Sequence, residues 1–381
     1  MLSDEEGELF AITPLPNVGG VAQCEKNLPN SSKEFRERMK LRDEIVQLKK
    51  ELGEKVYIIG HHYIAQDVID HCDLKGDSLE LARRVEEIRA PHIVFCGVYF
   101  MAESAALLAR PGQKVYIAAE EADCVMSRMV PALLLDKVLT RLCEKGRRVV
   151  PLAYVNTSLS VKAAVGRFGG AACTSANAKT MLRWALDQGG QVLFLPDQQL
   201  ARNTAKSLGL VETEWRALDI RNQGANIDLT AAQKVKLLLW PGCCAIHARF
   251  RPELVESARR TYPGCRIAVH PECSPETVDA SDAAGSTSFL IEYVVNSPAG
   301  STLVIGTEIS LVERLAREQA GRSAVLPLAR SLCSKMALTT EQRLLDCLRG
   351  IQAGTARALT VPPEEVAPAR ASLQRMLQAC S

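Results

Sequence analysis

Short apolar runs alternate with amphipathic stretches along most of the chain. The runs are continuous and rich in Val, Ile and Leu, which is typical of strands buried on both faces of a parallel sheet. Their alternation with helical patterns predicts an α/β fold built on parallel sheets. The predicted strands cover 56–60, 92–97, 115–119, 149–155, 192–195, 235–239, 266–270 and 302–306. The predicted helices cover 33–52, 78–90, 101–109, 131–145, 177–189, 198–208, 251–262, 287–296, 309–319, 339–350 and 364–379.

Three segments of the chain share one plan. Each has two polar residues, two positions apart, at the end of a strand, where open parallel sheets bind their ligands. Each continues to a serine that is predicted to open a helix, and then to a later cysteine. The polar pairs are His61 and Tyr63, Tyr154 and Asn156, and His270 and Glu272; the serines are Ser78, Ser175 and Ser286; the cysteines are Cys124, Cys244 and Cys333.

The spacing within these segments indicates three diverged copies of one unit. The serine lies 46, 69 and 47 residues before the cysteine, so the middle copy carries a polar insertion at about 211–234, whose role stays open. We therefore predict three pseudo-three-fold related, three-layer αβα domains with parallel sheets around a central site. The predicted boundaries are an irregular lead-in at 1–32, domains at 33–124, 125–244 and 245–333, and C-terminal helices at 334–381 that pack back on the first domain.

Charge and hydropathy exclude several classes of protein. The 381 residues include 46 basic and 44 acidic side chains, and this balance argues against a nucleic-acid-binding protein. A hydrophobic content of 47% is too high for a disordered chain. No apolar run approaches the roughly 18 residues of a membrane span. The acidic start lacks the apolar core of a signal peptide, so we expect a cytoplasmic protein with neither membrane nor nucleic-acid partners.

Thirteen cysteines are the most unusual feature of the composition. None forms a C-x-x-C pair, which argues against a zinc ribbon, a thioredoxin-type redox pair and a ferredoxin run. Metal-binding cysteines would therefore have to converge from distant parts of the chain. The alternative is that they are scattered core residues, since a lone cysteine is commonly a small buried hydrophobe. The repeated plan favours a metal site to which each copy contributes one cysteine.

A centre built from these residues would have a definite chemistry. Three thiolates suit a soft metal or an iron–sulfur cluster, and a cluster with three cysteine ligands leaves one iron open as a Lewis acid. Serines at helix N-termini favour carboxylates or phosphate, while the histidines, Tyr63 and Glu272 are candidates for proton transfer. Together they predict dehydration or condensation of a small substrate with several negative charges.

Eleven stretches, in order over roughly residues 40–350, resemble the quinolinate synthase family: GHHYIAQDVID, GDSLELARR, VFCGVYFMAES, YVNTSLSVKA, CTSANA, FLPDQQLA, WPGCCAIH, HPEC, GSTSF, VIGTE and SLCSKM. The resemblance implies a transferase of NAD biosynthesis that condenses iminoaspartate with dihydroxyacetone phosphate to quinolinate, releasing phosphate and two waters. It implies one [4Fe-4S] cluster per chain, whose open iron acts as a Lewis acid. L-aspartate oxidase or aspartate dehydrogenase would supply the imine.

The resemblance also implies the site residues. The cluster ligands would be Cys124, Cys244 and Cys333, with Cys243 not a ligand, although EADCVMSRM departs from the usual E-A-G-C-S-L-A around Cys124. The catalytic set would be His61, Tyr63, His270 and Glu272. The substrate-binding set would be His61, Ser78, Tyr154, Asn156, Ser175, His247, His270, Glu272, Ser286 and Thr287.

Two other functions remain possible at this point. A non-catalytic iron–sulfur or anion sensor could keep the three cysteines, but it would not need His61, Tyr63, His270 and Glu272. A cluster-dependent hydro-lyase for a related dicarboxylate would use nearly the same residues, and only a panel of substrates would separate it from the first interpretation.

Overall fold

The computed structural model describes residues 33–380, so the lead-in predicted at 1–32 lies outside the described residues. The chain divides into two compact units, residues 1–44 and 45–381. The described part of the first unit is only the beginning of helix Lys33–Leu52. Everything that follows concerns the second unit.

The strands of the described residues form three sheets, and every strand pair within them is parallel. In chain order they are β1 (Val56–His61), β2 (Leu74–Gly76), β3 (His92–Cys96), β4 (Lys114–Ile117), β5 (Val149–Tyr154), β6 (Ala171–Cys173), β7 (Gln191–Leu195), β8 (Trp215–Ala217), β9 (Leu237–Leu239), β10 (Arg266–Val269), β11 (Ala283–Ala284), β12 (Thr302–Gly306) and β13 (Ala324–Pro327).

Helices follow most of these strands, as expected for crossover connections between parallel strands. They are α1 (Lys33–Leu52), α2 (Gln66–Ile69), α3 (Ser78–Val85), α4 (Tyr99–Leu108), α5 (Val125–Arg128), α6 (Ala132–Leu142), α7 (Leu159–Arg167), α8 (Ala178–Asp187), α9 (Gln198–Ser207), α10 (Leu229–Ala232), α11 (Pro252–Thr261), α12 (Pro275–Ala280), α13 (Thr287–Val295), α14 (Ile309–Glu318), α15 (Glu341–Ala353) and α16 (Pro363–Ala379). Short 3-10 turns cover Gly53–Lys55, Glu144–Gly146, Glu212–Glu214, Asn222–Gly224, His247–Arg249 and Met336–Leu338.

The strand order repeats from sheet to sheet. The first sheet is ordered β2-β1-β3-β4 and the third β11-β10-β12-β13, so both have the order second, first, third, fourth. The second sheet, β6-β5-β7-β9-β8, has the same order with one strand added at its edge. The predicted fold class of repeated αβα units on parallel sheets is confirmed. The individual domain boundaries stay a prediction.

The polar insertion at 211–234 supplies the additional edge strand. Within it, β8 pairs with β9 and places Trp215 opposite Leu237. Leu218 and Ile227 are buried in the core cluster of the second sheet. Arg141 of α6 donates from Nη1 to the carbonyl of Gly224 at 2.7 Å. The insertion thus extends the second sheet, and none of its residues lines the cavity described below.

The two C-terminal helices lie against different sheets. Helix α15 packs on α2 and β3 of the first sheet, whereas α16 packs mainly on α7 and β6 of the second and also contacts α4 of the first. The backbones of α16 and α7 approach each other closely at Gly166. Any side chain there would clash, because a Cβ atom at Gly166 would lie 1.8 Å from the Pro368 carbonyl oxygen. Arg375 donates to the Gly170 carbonyl at 2.6 Å. The C-terminal helices were predicted to pack back on the first domain; α16 contacts that sheet through Arg370, which donates to the Leu107 carbonyl at 2.7 Å, but packs mainly on the second sheet.

Among residues 33–380, no helix combines the length and apolar character needed to cross a bilayer.

Candidate active site

One cavity of about 920 Å³, including its open mouth, lies where the carboxyl ends of strands from all three sheets meet. Thirteen of the fourteen site residues proposed from the sequence line this cavity, and they come from segments of all three sheets. They are His61, Tyr63, Ser78, Cys124, Tyr154, Asn156, Ser175, Cys244, His247, His270, Glu272, Thr287 and Cys333. The residues predicted to meet at a common centre therefore do line one cavity. The role of each residue stays a prediction.

The three serines do not open their helices in the same way. Asp77, not Ser78, is the N-cap of α3, and its carboxylate accepts from the backbone of Leu79 and Glu80. Ser175 lies in the turn before α8. Ser286 is a true N-cap, but its hydroxyl accepts from the Phe289 backbone at 3.3 Å and it is absent from the cavity wall. A serine near a helix start was therefore a weaker signal than the sequence suggested.

The strand-end turns at His61 and His270 are built alike. The Nδ1 atom of His61 accepts from the Tyr63 backbone N–H at 3.1 Å, and Nδ1 of His270 accepts from the Glu272 backbone N–H at 3.3 Å. Because a backbone N–H can only donate, each Nδ1 must be unprotonated and each proton must sit on Nε2. Both rings are 3% exposed or less. The repeated His-x-polar spacing therefore fixes two neutral imidazoles of one tautomer at the cavity.

Burial keeps these imidazoles neutral. It lowers the pKa of His270 to about 3, with the neighbouring His247 adding to the effect. It also lowers the pKa of His61 well below its ordinary value, helped by His62 and Arg314. Burial alone would raise the pKa of Glu272, but His247 and His270 hold it at about 2. The cavity therefore presents the neutral imidazoles of His61 and His270 together with the ionised carboxylate of Glu272 near neutral pH.

A chain of hydrogen bonds crosses the cavity wall. The hydroxyl of Thr287 donates to the Tyr63 phenol at 3.1 Å, and that phenol lies 2.7 Å from Thr307 Oγ1. Thr307 Oγ1 lies 3.1 Å from Nε2 of His247, whose Nδ1 bonds to Glu272 Oε2. The ionised carboxylate must accept, so the donors can all point the same way, from Thr287 through Tyr63, Thr307 and His247 to Glu272. This arrangement can pass a proton along the wall.

Two buried polar atoms of the cavity lining have no hydrogen-bond partner: Asn156 Oδ1 and Glu272 Oε1. Buried polar atoms are nearly always paired, so these two acceptors suit a bound ligand with donor groups. Tyr154 lies on the same wall, and burial and the negative charge of Glu272 raise its pKa well above its ordinary value. Its phenol is therefore a hydrogen-bond donor at neutral pH.

The three predicted cysteine ligands come from different sheets and share the cavity. Burial raises the pKa of Cys124 to about 12 and also raises the pKa of Cys244 and Cys333. The thiolate forms would need a positive partner, which is what a bound metal or iron–sulfur cluster provides. Cys244, His247 and Glu272 also place one ligand atom each within 4.8 Å of one another, close enough to hold a metal ion. The donor set is compatible with a metal cofactor.

Two buried carboxylates hold the backbone at these cysteines. Asp197, the N-cap of α9, accepts from the Cys244 N–H at 3.1 Å, and Glu308, the N-cap of α14, accepts from the Cys333 N–H at 3.2 Å. Both residues have no exposed surface. In the first repeat the matching N-cap is Val98, whose apolar side chain cannot accept a hydrogen bond from the Cys124 backbone. The sequence interpretation missed these carboxylates, although each is the first acidic residue after the third strand of its repeat.

The buried histidines predict how stability depends on pH. An unfolded histidine titrates near pH 6.5, but folded His270 titrates near 3, so the unfolded chain takes up the proton first as pH falls. Stability is therefore complete above pH 6.5 and is lost on the way down to pH 3. Between pH 6.5 and 5 we expect about 2 kcal/mol of lost unfolding free energy from this group. Urea unfolding should show a smaller loss for His270→Asn, and an unchanged loss would contradict this assignment.

Three repeated parallel sheets around a cavity lined by thiols, histidines and a carboxylate define an α/β enzyme with a metal-compatible site. The family model "Quinolinate synthetase A protein" matches residues 43–378. The quinolinate synthase of Geobacillus kaustophilus is 39% identical over 92% of this chain and 97% of its own length. That of Streptomyces coelicolor is 39% identical over 86% of each. The chain therefore belongs to the quinolinate synthetase A family.

A further relative and one solved structure add little to this conclusion. The quinolinate synthase of Bacillus pumilus is 43% identical over 71% of this chain and 74% of its own length. An O-acetylserine sulfhydrylase isoform 3 from Entamoeba histolytica aligns over 82% of this chain and 83% of its own, with 11% identity and a TM-score of 0.13, which bears on neither fold nor function.

Proposed function

We propose that this protein is a quinolinate synthase of NAD biosynthesis. It condenses iminoaspartate with dihydroxyacetone phosphate and releases quinolinate, phosphate and two waters. The observation that carries the proposal is the single cavity that brings together three thiols, anion-binding hydroxyls and acid–base groups from all three sheets. We propose L-aspartate oxidase or aspartate dehydrogenase as the source of the unstable imine.

The cofactor in this proposal is one [4Fe-4S] cluster held by Cys124, Cys244 and Cys333. When bound, it would supply a Lewis acid that polarises a substrate oxygen and eases the loss of hydroxide. Three thiols on one cavity wall leave one iron without a protein thiolate, which supports this assignment. Asp197 and Glu308 would keep two of the ligand backbones in place through their hydrogen bonds.

The polar residues of the cavity have separate tasks in this proposal. Ser78, Ser175 and Thr287 bind carboxylate and phosphate oxygens through their hydroxyls. Asn156 Oδ1, which lacks a protein partner, accepts from the nitrogen of the imine. Glu272 is ionised and removes protons during enolisation and ring closure, and the neutral His61 donates from Nε2.

Thr307 is the link between Tyr63 and His247, and it is the most informative residue of the chain of hydrogen bonds. Thr307→Val keeps the shape of the side chain and removes the hydroxyl that joins them. We expect turnover to fall roughly tenfold to a hundredfold, as for one lost buried hydrogen bond, with KM nearly unchanged. Steady-state kinetics of the reconstituted enzyme would measure this.

Two matched variants make the Thr307 result specific. Thr307→Ser keeps a hydroxyl and should retain most of the turnover. Thr277→Val removes a hydroxyl that is equally buried but bonded to the Phe250 carbonyl, outside the cavity lining, and should leave turnover unchanged. Equal turnover in Thr307→Val and the wild type would contradict a relay through this residue.

The proposed function is tested by product analysis under anaerobic conditions. Reconstituted protein given iminoaspartate and dihydroxyacetone phosphate should form quinolinate and phosphate in a one-to-one ratio. The same protein should leave a panel of hydroxy-dicarboxylates unchanged. Dehydration of a panel member without quinolinate formation would instead identify a hydro-lyase, and no turnover of either by cluster-loaded protein would identify a non-catalytic binding protein.

A further inference from the structure

Each of the three turns that carry the polar pairs is held from behind by a side chain that does not line the cavity. Backbone carbonyls of these turns, at 61–64, 154–157 and 270–273, accept hydrogen bonds from these side chains. Arg314 and Asn203 donate from helices of a different sheet, whereas Lys162 donates from a helix of the same sheet, which Glu103 of the first sheet contacts.

The third turn is held by Asn203 of α9, the helix that follows the third strand of the second sheet. Its Nδ2 donates to the Pro271 carbonyl at 2.8 Å and to the Cys273 carbonyl at 2.9 Å. These two carbonyls flank Glu272 in the chain. A single amide group therefore holds the turn on both sides of the carboxylate.

The first turn is held by Arg314 of α14, the helix that follows the third strand of the third sheet. Its Nη2 donates to the carbonyl of His62 at 2.6 Å, between His61 and Tyr63 in the chain. Arg314 is only 4% exposed, and its Nη1 is buried without a hydrogen-bond partner. A buried cation with an unpaired N–H costs stability, so fold stability alone does not account for it.

The second turn is held by Lys162, which is 1% exposed. Its Nζ donates to the carbonyls of Val155, at 2.9 Å, and Thr157, on either side of Asn156. Lys162 lies on α7 of the same sheet, and Glu103 of α4, the helix after the third strand of the first sheet, accepts from the backbone of Leu159, the first residue of α7, at 3.1 Å. The negative charge of Glu103 also favours the charged form of Lys162. The first sheet thus reaches the second turn indirectly, through the hydrogen bond of Glu103 to the first residue of the helix that carries Lys162.

These contacts form a closed cycle. The helix after the third strand of the first sheet supports the turn of the second, that of the second supports the turn of the third, and that of the third supports the turn of the first. We propose that Glu103, Asn203 and Arg314 are positioning residues, each of which sets the active-site turn of the next repeat, and that Glu103 does so through α7 and its Lys162. This inference rests on the proposed function for its effect on catalysis, but not for its effect on the turns.

The cycle has a directional consequence. Substitution of Glu103, Asn203 or Arg314 should loosen the turn of the next sheet and leave the turn of its own sheet intact. The geometry of the cavity would also depend on all three sheets, since the orientation of each polar pair depends on a residue of another sheet. A role in packing alone would loosen the element that carries the changed residue.

Hydrogen–deuterium exchange of the reconstituted protein tests the direction. Arg314→Met keeps the apolar length of the side chain and removes its donors, and Asn203→Asp keeps the shape and removes the donated N–H. We expect the amides of His62 to Ile64 to exchange about tenfold faster in Arg314→Met, with 270–273 unchanged, and the reverse pattern in Asn203→Asp. Unchanged exchange, or faster exchange across all sheets, would overturn the proposal.

Kinetics supply the second arm of the test. Arg317 lies on the same helix but is exposed, so Arg317→Met is the matched control and should behave as the wild type. Arg314→Met should lower kcat about tenfold, and Arg314→Lys, which can still donate to the His62 carbonyl, should recover most of it. No recovery in Arg314→Lys together with wild-type exchange at 61–64 would overturn the positioning role. If the wild type made no quinolinate, the proposed function would be wrong. The exchange pattern would still show whether each sheet positions the turn of the next.

Discussion

Cys244→Ala is expected to lose both the bound cluster and the formation of quinolinate, whereas Cys243→Ala should retain both. The two cysteines are adjacent in sequence, but only Cys244 lines the cavity. Its backbone N–H is also held by the buried carboxylate of Asp197. Loss of one of three protein thiolates removes a soft sulfur ligand, which the nearby nitrogen of His247 and oxygen of Glu272 do not match.

The expected size of this effect is large because, in the proposed mechanism, the cluster would assist the hardest step, the loss of hydroxide. Lewis-acid stabilisation of a leaving hydroxide is worth several kcal/mol, so activity should fall at least about 1000-fold. Absorbance near 400 nm and iron content after anaerobic reconstitution would report the cluster separately. Full iron content and turnover in Cys244→Ala, or their loss in Cys243→Ala instead, would contradict the ligand assignment.

Glu272→Gln is expected to reduce turnover by about 100- to 10,000-fold, the range for a general base. The change removes the negative charge that the pKa of about 2 keeps on this side chain. It also weakens the bond to His247 Nδ1 that ends the chain of hydrogen bonds. Because the amide has nearly the same shape, substrate binding should change far less than turnover.

The control for this variant is Glu276→Gln. Glu276 is exposed on the short helix α12, four positions further along the chain, so the same chemical change there should leave turnover at the wild-type level. Steady-state kinetics and circular dichroism of both variants would compare activity and folding. Turnover within a few-fold of the wild type in a folded, cluster-loaded Glu272→Gln would exclude Glu272 as the base.

The long central strands could be predicted from the sequence because continuous apolar runs mark burial on both faces. The short edge strands could not. β11 has two residues, Ala283 and Ala284, and β8 has three, of which two are exposed. Strands this short contain too few residues for a pattern, and their pairing with a longer neighbour forms them. The repeated spacing nevertheless predicted that these segments belong to three similar sheets.

The cavity residues could be predicted for a related reason. Their spacing repeats relative to the strands, and parallel strands bring their carboxyl ends to one edge. Thr307, Asp197 and Arg314 could not be found this way, because each acts through a partner 47 to 252 residues away in the chain. The periodicity of one segment carries no information about such contacts. The packing of α16 against the second sheet could not be found this way either, since it involves a close approach of its backbone to Gly166.

Mössbauer spectroscopy of the iron-reconstituted protein, with and without quinolinate, tests the central claim most directly. If Cys124, Cys244 and Cys333 hold a [4Fe-4S] cluster at the wall of the substrate cavity, one iron in four should have its own signal, and quinolinate should change that signal alone. Four equivalent irons that quinolinate leaves unchanged would contradict a three-cysteine cluster in this cavity.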